Sequence, residues 1–338
     1  MSIFFGENGF SQLSLLMDEY DKIFILTDER INKLYASLLA SVVSYKVIKI
    51  VIPEGENNKT IDNVCCIWSK MLENHAGRDS LLINFGGGTI SDIGAFAAST
   101  YKRGIDFVNI PTTLLAMVDA SIGGKNAINF NNIKNQIGLF SEPNSILINH
   151  SFLNTLDRRD ILSGLAEMMK YAFIADASFL KINNDNYLAY IEKAALLKED
   201  IVNFDMNEKG IRKMLNFGHT VGHALETFFM EKNNSLTHGE AVALGMYSAL
   251  FLSINYCGMD KHWFDFYENW LRDNYKHMDI SGIDEDVVLS FISHDKKNIG
   301  GEPRFVLISE PEKAIIDVEV KVDDIRESVS ILRNIFRE

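Results

Sequence analysis

Five short apolar runs punctuate the first half of the chain, at residues 22–26, 46–52, 81–85, 107–110 and 146–149. Each is rich in branched residues and bounded by Gly, Pro, Asp or Asn, which predicts strands. Between them, residues 61–73 and 90–101 carry apolar positions at helical spacing. Alternation of strand, helix and strand predicts a largely parallel sheet covered by helices. From residue 159 to 275 helix-forming stretches dominate, with few strand-like runs. A strand pair is predicted at 304–308 and 314–317, and a closing helix over 322–336. The pattern divides the chain into an N-terminal α/β domain, residues 1–155, and a mostly α-helical C-terminal domain, residues 156–338. No internal repeat or low-complexity segment interrupts it.

One run needs separate treatment. Residues 241–259 hold no charged side chain and approach the length of a membrane span. They also carry Ser248, Ser253, Asn255, Tyr247 and Tyr256, and follow His238-Gly239-Glu240 with no basic flank. This predicts a helix buried inside the helical domain rather than in lipid. The N-terminal residues lack a basic region before an apolar block, so no signal peptide is expected, and the cytoplasm is the expected compartment.

Composition narrows the partners. At 338 residues, 47% hydrophobic and 23% charged, the chain reads as two folded domains, not as a disordered polymer. Lys+Arg 33 against Asp+Glu 46 leaves a net charge of -13. Such a field repels nucleic acid and anionic membranes unless a local basic patch overrides it, so neither is an expected partner. The three cysteines, Cys65, Cys66 and Cys257, are odd in number and form no CxxC. They argue against a disulfide framework and are expected as buried small hydrophobes.

Several stretches could carry chemistry. Phe85-Gly86-Gly87-Gly88-Thr89-Ile90-Ser91-Asp92 follows a predicted strand and opens a predicted helix. Glycines there let backbone approach a ligand, and the helix N-terminus suits a pyrophosphate. The spacing is not GxGxxG, so a plain tight turn stays open. Pro111-Thr112-Thr113 and Asp119-Ala-Ser-Ile-Gly123-Gly124-Lys125-Asn126 also fall after strand ends, where open parallel sheets bind ligands.

His219 and His223, four apart, share a helix face, and His238-Gly239-Glu240 follows. Three of the eight histidines thus cluster, and a carboxylate would complete a divalent-metal site. Residue 220 is Thr, so HExxH is absent. Glu167 is a candidate acid, three residues before Lys170 on a predicted helix. An exposed helix ion pair is the blander alternative for those two. Lys125, Lys134, Lys170, Lys198 and Arg212 could form a cationic pocket for a small anion, or be solvated individually.

Taken together, these motifs resemble the 3-dehydroquinate synthase family. They are Gly86-Gly-Gly-x-x-x-Asp92, Arg103-Gly104, the run from Pro111 to Lys125, Lys134-Asn135-x-Ile137-Gly138, Gly164-Leu-Ala-Glu167-Met-Met-Lys170, Leu215-Asn-Phe-Gly-His219-Thr-Val-Gly-His223 and His238-Gly239-Glu240. The match runs in order from about residue 21 to 309. The resemblance implies a dehydroquinate synthase-like fold, with a Rossmann-like sheet domain followed by a helical domain. It implies a homodimer that binds NAD and one divalent metal, zinc or cobalt. The implied reaction converts 3-deoxy-D-arabino-heptulosonate 7-phosphate into 3-dehydroquinate and phosphate, the second step of the shikimate pathway. It proceeds by transient oxidation, phosphate elimination, re-reduction and intramolecular aldol closure, with closure of the domains over the substrate.

Carried over residue by residue, the resemblance implies that Glu167, His219 and His238 hold the metal. Glu208 and His223 would move protons, with Lys170, Lys125, Arg212 and Asn216 also at the reacting centre. Asp119, Asn135, Lys198 and Lys296 or Lys297 would contact substrate, together with the partner subunit's Arg103. Asp28, Glu56, Lys59, Gly87, Gly88, Thr89, Asp92, Thr112, Thr113, Lys125, Lys134, Phe152 and Thr155 would contact NAD. Three departures alter loop shape near the cofactor. Ser91 replaces a frequent Gly, Asn126 replaces a usual Thr, and residues 129–133 lack the frequent His-Pro-Leu-Gly. Competing readings are a cyclase for another sugar phosphate, a net polyol dehydrogenase and a non-catalytic NAD-binding protein.

Overall fold

The computed structural model describes residues 1–6, 8–42, 47–131, 133–231, 235–293 and 303–336. The chain forms two compact units. The first holds Met1–Asp157 and Ile191–Glu199; the second holds Arg158–Tyr190 and Asp200–Glu338.

The first unit contains β1 (Ser2–Phe5), α1 (Asn8–Met17), β2 (Lys22–Asp28), α2 (Glu29–Leu34), α3 (Ala36–Val42), β3 (Val47–Ile52), α4 (Ile61–Glu73), β4 (Ser80–Gly86), α5 (Gly88–Thr100), β5 (Asp106–Pro111), β6 (Lys125–Phe130), β7 (Ile133–Phe140) and β8 (Ser145–Ile148). Six strands form one sheet in the order β1-β8-β5-β4-β2-β3, and every pairing is parallel. All five strand expectations are met, though Lys46, placed first in one of them, lies outside the described residues. Among the strands, two features went unread in the sequence: β1, and the antiparallel hairpin β6–β7, whose strand β7 keeps no buried residue.

Strand β4 is buried along its whole length, which explains its unbroken apolar run. Of its two polar residues, Ser80 and Asn84, the second donates to Asn109 Oδ1 at 2.9 Å, and Asn109 donates to the Ser121 carbonyl at 3.1 Å. The order reverses between β2 and β4, so the C-terminal ends of these strands flank a switch point. Asp28 ends β2, and Gly86-Gly87-Gly88 lies at the end of β4.

Helix α4 corrects one expectation. Cys65 and Cys66 are exposed and Cys257 is half-buried, rather than all three being interior. Val64, Ile67 and Met71 occupy the inward face of α4 at spacings of three and four. Positions 65 and 66 fall off that face.

The second unit contains α6 (Arg158–Ile174), the end of α7 (Ile191–Phe204), α8 (His219–Glu231), α9 (His238–Cys257), α10 (Lys261–Tyr275), α11 (Glu285–Ser293), β9 (Arg304–Glu310), β10 (Lys313–Glu319) and α12 (Val322–Ser330). Strands β9 and β10 pair antiparallel, and the final helix gives way to a 3-10 turn over Ile331–Asn334. Helix α9 is the uncharged run identified in the sequence. It is central, with neighbours α6, α8, α10, α12 and β9. Its interior hydroxyls bond to backbone: Ser248 donates to the Ser328 carbonyl and Ser253 to that of Ala249. Among the described residues, no helix is long and apolar enough to cross a membrane.

Helix α9 starts at a capping box, with Thr237 accepting from the Glu240 amide and the Glu240 side chain accepting from the Thr237 amide. It ends at Gly258 in the left-handed conformation. Its contact with α8 is backbone on backbone. A Cβ at Gly245 would lie 1.9 Å from the Gly218 carbonyl oxygen and 2.7 Å from the Gly222 nitrogen. Gly245→Ala therefore forces the two helices apart and is expected to destabilise the unit by ~2–3 kcal/mol, the overpacking range. A thermal melt should show a transition lowered by several degrees; an unshifted curve would contradict the close crossing.

Candidate active site

Three elements of the second unit converge on one carboxylate. Glu167 lies in the middle of α6, fully buried. His219 opens α8, and His238 opens α9. Glu167 Oε1 lies 3.5 Å from His219 Nε2 and 3.5 Å from His238 Nε2. Lys170 forms an ion pair with the other oxygen, and is itself only 1% exposed. The Glu167–Lys170 pair is therefore interior, not a solvated helix pair.

The helix starts explain the approach of the imidazoles. Gly218, at φ +78, takes the left-handed turn just before α8. Gly239, beside His238, packs so tightly that a Cβ would lie 2.1 Å from the Ser163 carbonyl oxygen. His219 Nδ1 lies 3.1 Å from the Phe217 carbonyl, which can only accept, so Nδ1 carries the proton. That leaves the Nε2 lone pair facing Glu167.

The electrostatics follow from burial. Burial raises the pKa of the Glu167 carboxyl, but Lys170 and His238 outweigh it and push the value down to about 2. Burial works against the His238 imidazolium, yet hydrogen bonds with Glu167 and Glu226 push its pKa up to about 10. The ligand atoms of Glu167, His219 and His238 lie within 4.8 Å of one another, a spacing that could hold a metal ion. Glu167 Oε2 is taken up by the Lys170 ion pair, while Oε1 faces both imidazole Nε2 atoms at 3.5 Å and is the oxygen placed to ligate a cation. Two imidazoles and one carboxylate suit zinc or cobalt.

His223 stands beside the cluster, its ring 5.2 Å from that of His219 and 5.9 Å from that of His238. The sequence reading missed Glu226, whose Oε2 lies 3.6 Å from His238 Nδ1. The signal was present, because 219, 223 and 226 follow the i, i+4, i+7 rule on one face.

A second group forms over 205–216. Asp205 accepts from the backbone nitrogens of Lys209, Gly210 and Arg212 at 2.9, 2.6 and 3.1 Å. The turn this organises holds Glu208 at φ +55, a conformation costly for a residue with a side chain. Glu208 Oε1 accepts from Asn216 Nδ2 at 2.6 Å, and buried Arg212 donates to the Met206 carbonyl at 2.6 Å. Three residues singled out in the sequence are thereby brought together.

In the first unit, Lys59 is 3% exposed and lies 2.6 Å from Asp92 and 3.3 Å from Glu56. Burial lowers the Lys59 pKa, but Asp92 and Glu56 outweigh it and the net shift is upward. Thr89 donates to Glu56 at 2.7 Å, and Asn129 donates to the Glu56 carbonyl at 3.1 Å. Gly87 and Gly88 open α5 without side chains; Cβ atoms there would lie 3.0 Å from Thr113 and 3.1 Å from Ala120. Thr112 Oγ1 is buried with no hydrogen-bond partner. Asp28 caps α2 by accepting from the Ile31 amide. Phe152 is interior and packs edge-on against Tyr35 and Phe85, while Thr155 pairs with the Tyr35 hydroxyl at 2.8 Å. Tyr35 had no sequence signal.

Lys198 lies 2.8 Å from Asp119 Oδ1 and donates to its carbonyl at 2.6 Å, which ties the start of α7 to the first unit. Lys125 and Asn135 are not side by side along the hairpin. Lys125 pairs with Phe140, and Asn135 lies five positions nearer the turn. Lys134 acts on Glu56 through its charge. Arg103 is exposed at φ +72. Lys296 and Lys297 lie outside the described residues.

The family profile described as 3-dehydroquinate synthase N-terminal matches residues 49–163, and the one described as 3-dehydroquinate synthase C-terminal matches 164–298. A 3-dehydroquinate synthase from Parabacteroides distasonis is 39% identical over 328 residues, covering 94% of this chain and 93% of the relative. Among solved structures, 2-epi-5-epi-valiolone synthase from Streptomyces hygroscopicus subsp. jinggangensis, with NAD+ and Zn2+ bound, superposes with a TM-score of 0.86. It is 24% identical, over 98% of this chain and 96% of that one. A 2-deoxy-scyllo-inosose synthase complexed with carbaglucose-6-phosphate, NAD+ and Co2+ gives 0.84 at 23% identity, over 97% and 95%. At these identities the two structures establish the shared fold.

His219→Ala removes one imidazole from the three-ligand cluster. Equilibrium dialysis against Zn2+ or Co2+ is expected to show loss of one bound ion per chain, with no change in affinity for NAD. Retention of the ion would exclude His219 as a ligand.

Proposed function

The chain belongs to the 3-dehydroquinate synthase family, and we propose that it converts 3-deoxy-D-arabino-heptulosonate 7-phosphate into 3-dehydroquinate and phosphate. The observation that carries the proposal is the convergence of Glu167, His219 and His238 beside Lys170, in a chain 39% identical to a 3-dehydroquinate synthase. The enzyme would be a phosphate-eliminating lyase that uses NAD and one divalent metal, acting in the cytoplasm as a homodimer.

Glu167, His219 and His238 would hold the metal. The fit rests on the buried Oε1 that faces both imidazoles and on the His219 Nε2 lone pair directed by the Phe217 carbonyl. When bound, the cation would polarise the substrate hydroxyls and lower their pKa. Asp28, Gly87, Gly88, Thr89, Asp92, Thr112 and Thr113 would hold NAD, with Glu56, Lys59, Lys125, Lys134, Phe152 and Thr155. The fit rests on the side-chain-free helix start and on the unpartnered Thr112 hydroxyl. NAD would take a hydride from the substrate and return it, so it would be recycled, not consumed.

The chain's own groups would do the rest. Lys170 would hold a positive charge against the developing alkoxide. Its place inside the unit keeps water from screening that charge. His223 and Glu208 would move protons, and the Asn216 amide would fix the Glu208 carboxylate. Arg212, Lys198 and Asp119 would orient substrate oxygens. Lys125, Asn135, Lys296 or Lys297 and the partner's Arg103 would bind the phosphate, which itself assists in removing the proton.

Metal- and NAD-loaded protein is expected to release phosphate from the heptulosonate phosphate with no steady-state accumulation of NADH. Stoichiometric NADH would instead identify a net dehydrogenase, and release only from a heptulose 7-phosphate would identify a different cyclase. Lys170→Ala is expected to lower kcat/KM about 100-fold, ~3 kcal/mol of transition-state stabilisation. Full activity in that variant would remove Lys170 from the reacting centre.

A further inference from the structure

Helix α6 and the first turn of α9 meet along a ladder of three contacts. Arg159, Ser163 and Glu167 are four residues apart on α6, so they share one face. Glu240, Gly239 and His238 oppose them in that order. Arg159 Nε and Nη2 donate to the two Glu240 oxygens at 2.7 and 2.6 Å. Next along the helix, the Gly239 amide donates to Ser163 Oγ at 3.0 Å. The third contact is Glu167 Oε1 to His238 Nε2 at 3.5 Å. The last of these joins two of the three ligands of the proposed metal site, and the inference rests on that reading.

The first two contacts act in opposite directions. Gly239 sits against the Ser163 backbone, where even a Cβ would overlap, so α9 can come no closer. The forked Arg159 contact prevents it from moving away. Glu240 is fully buried, and Arg159 is half-exposed. Glu240 also accepts from the Thr237 amide at 2.7 Å and pairs with His277 Nε2 at 2.9 Å. Arg159 Nη2 further donates to the Ser235 carbonyl, just before the helix, at 2.8 Å. A buried carboxylate that loses its forked partner must move toward water or toward another donor. Glu240 cannot move without carrying the first turn of α9, and His238 is two residues away.

We infer that the Arg159–Glu240 ion pair is a positioning device for the metal site, setting the separation of Glu167 and His238 by locking the first turn of α9 onto α6. Neither Arg159 nor Glu240 is a ligand. Their effect reaches the cation only through the placement of His238.

The test uses Co2+ as the probe, with affinity read by competition against a chromophoric chelator and geometry read from the visible d–d absorption. Arg159→Met is expected to weaken Co2+ binding 10- to 100-fold, the range for lost supporting contacts around a metal site, and to change the absorption bands. Arg272→Met serves as the control. It removes a surface pair with Glu268 in the same unit, at 2.8 Å, and should leave affinity and spectrum as in the wild type. Thermal melts of both metal-free variants separate general destabilisation from the metal readouts. If Arg159→Met does not fold, Arg159→Lys carries the test. It keeps the charge without the fork and is expected to bind Co2+ several-fold more weakly with altered bands. An Arg159 variant matching the wild type in both readouts, whatever its melting point, overturns the inference while the metal site stands. Wild-type protein that binds no Co2+, or His219→Ala that binds it normally, overturns the metal site and this inference with it.

Discussion

A carboxylate with no access to water is the constraint from which the second unit is built. Removing an ion from water costs several kcal/mol even after the protein relaxes. Glu167 is placed in the middle of α6, where no solvent can repay that cost. Its partners must come from within, and they do: Lys170 from its own helix, His219 and His238 from two others. The pKa of about 2 records that these partners prevail over burial. The donor set that results, one carboxylate and two imidazoles with ligand atoms within 4.8 Å of one another, is one that could hold a divalent ion.

Glycine is what makes the convergence sterically possible. The helix starts that carry the two imidazoles approach their neighbours through Gly218 and Gly239, and α8 crosses α9 where Gly245 meets the Gly218 carbonyl. A Cβ at any of these points would lie 1.9–2.5 Å from a neighbouring atom, inside van der Waals contact, so the elements would have to move apart. The same residues that look like flexible breaks in a helical sequence are therefore its closest contacts. The ion pair and capping box at Glu240 complete the arrangement, since they hold the start of α9 without adding bulk to it.

The first unit applies the same two devices at the ends of its strands. Gly87 and Gly88 remove side chains where α5 begins, and Lys59, Asp92 and Glu56 form a buried ionic group beside them. Lys198 reaches Asp119 from a helix far along the chain, so part of this surface is supplied by residues remote in sequence.

Periodicity and turn chemistry made the local elements legible. The strands and the buried uncharged helix follow from continuous apolar runs, and the shared face of His219 and His223 from a spacing of four, all of them local properties of the chain. Matching motifs along the chain made the family legible, and with it a set of expected site residues. What spacing could not decide was the surroundings of each side chain. By spacing alone Glu167 and Lys170 read as an exposed surface pair, and Cys65 and Cys66 read as interior. Glu226, Tyr35 and Arg159 drew no notice because their partners lie far away in the chain. Those outcomes depend on how helices cross and which faces they cover. A crossing is set by the sum of many distant contacts, so only the tertiary structure decides which acid is buried and which imidazoles meet it.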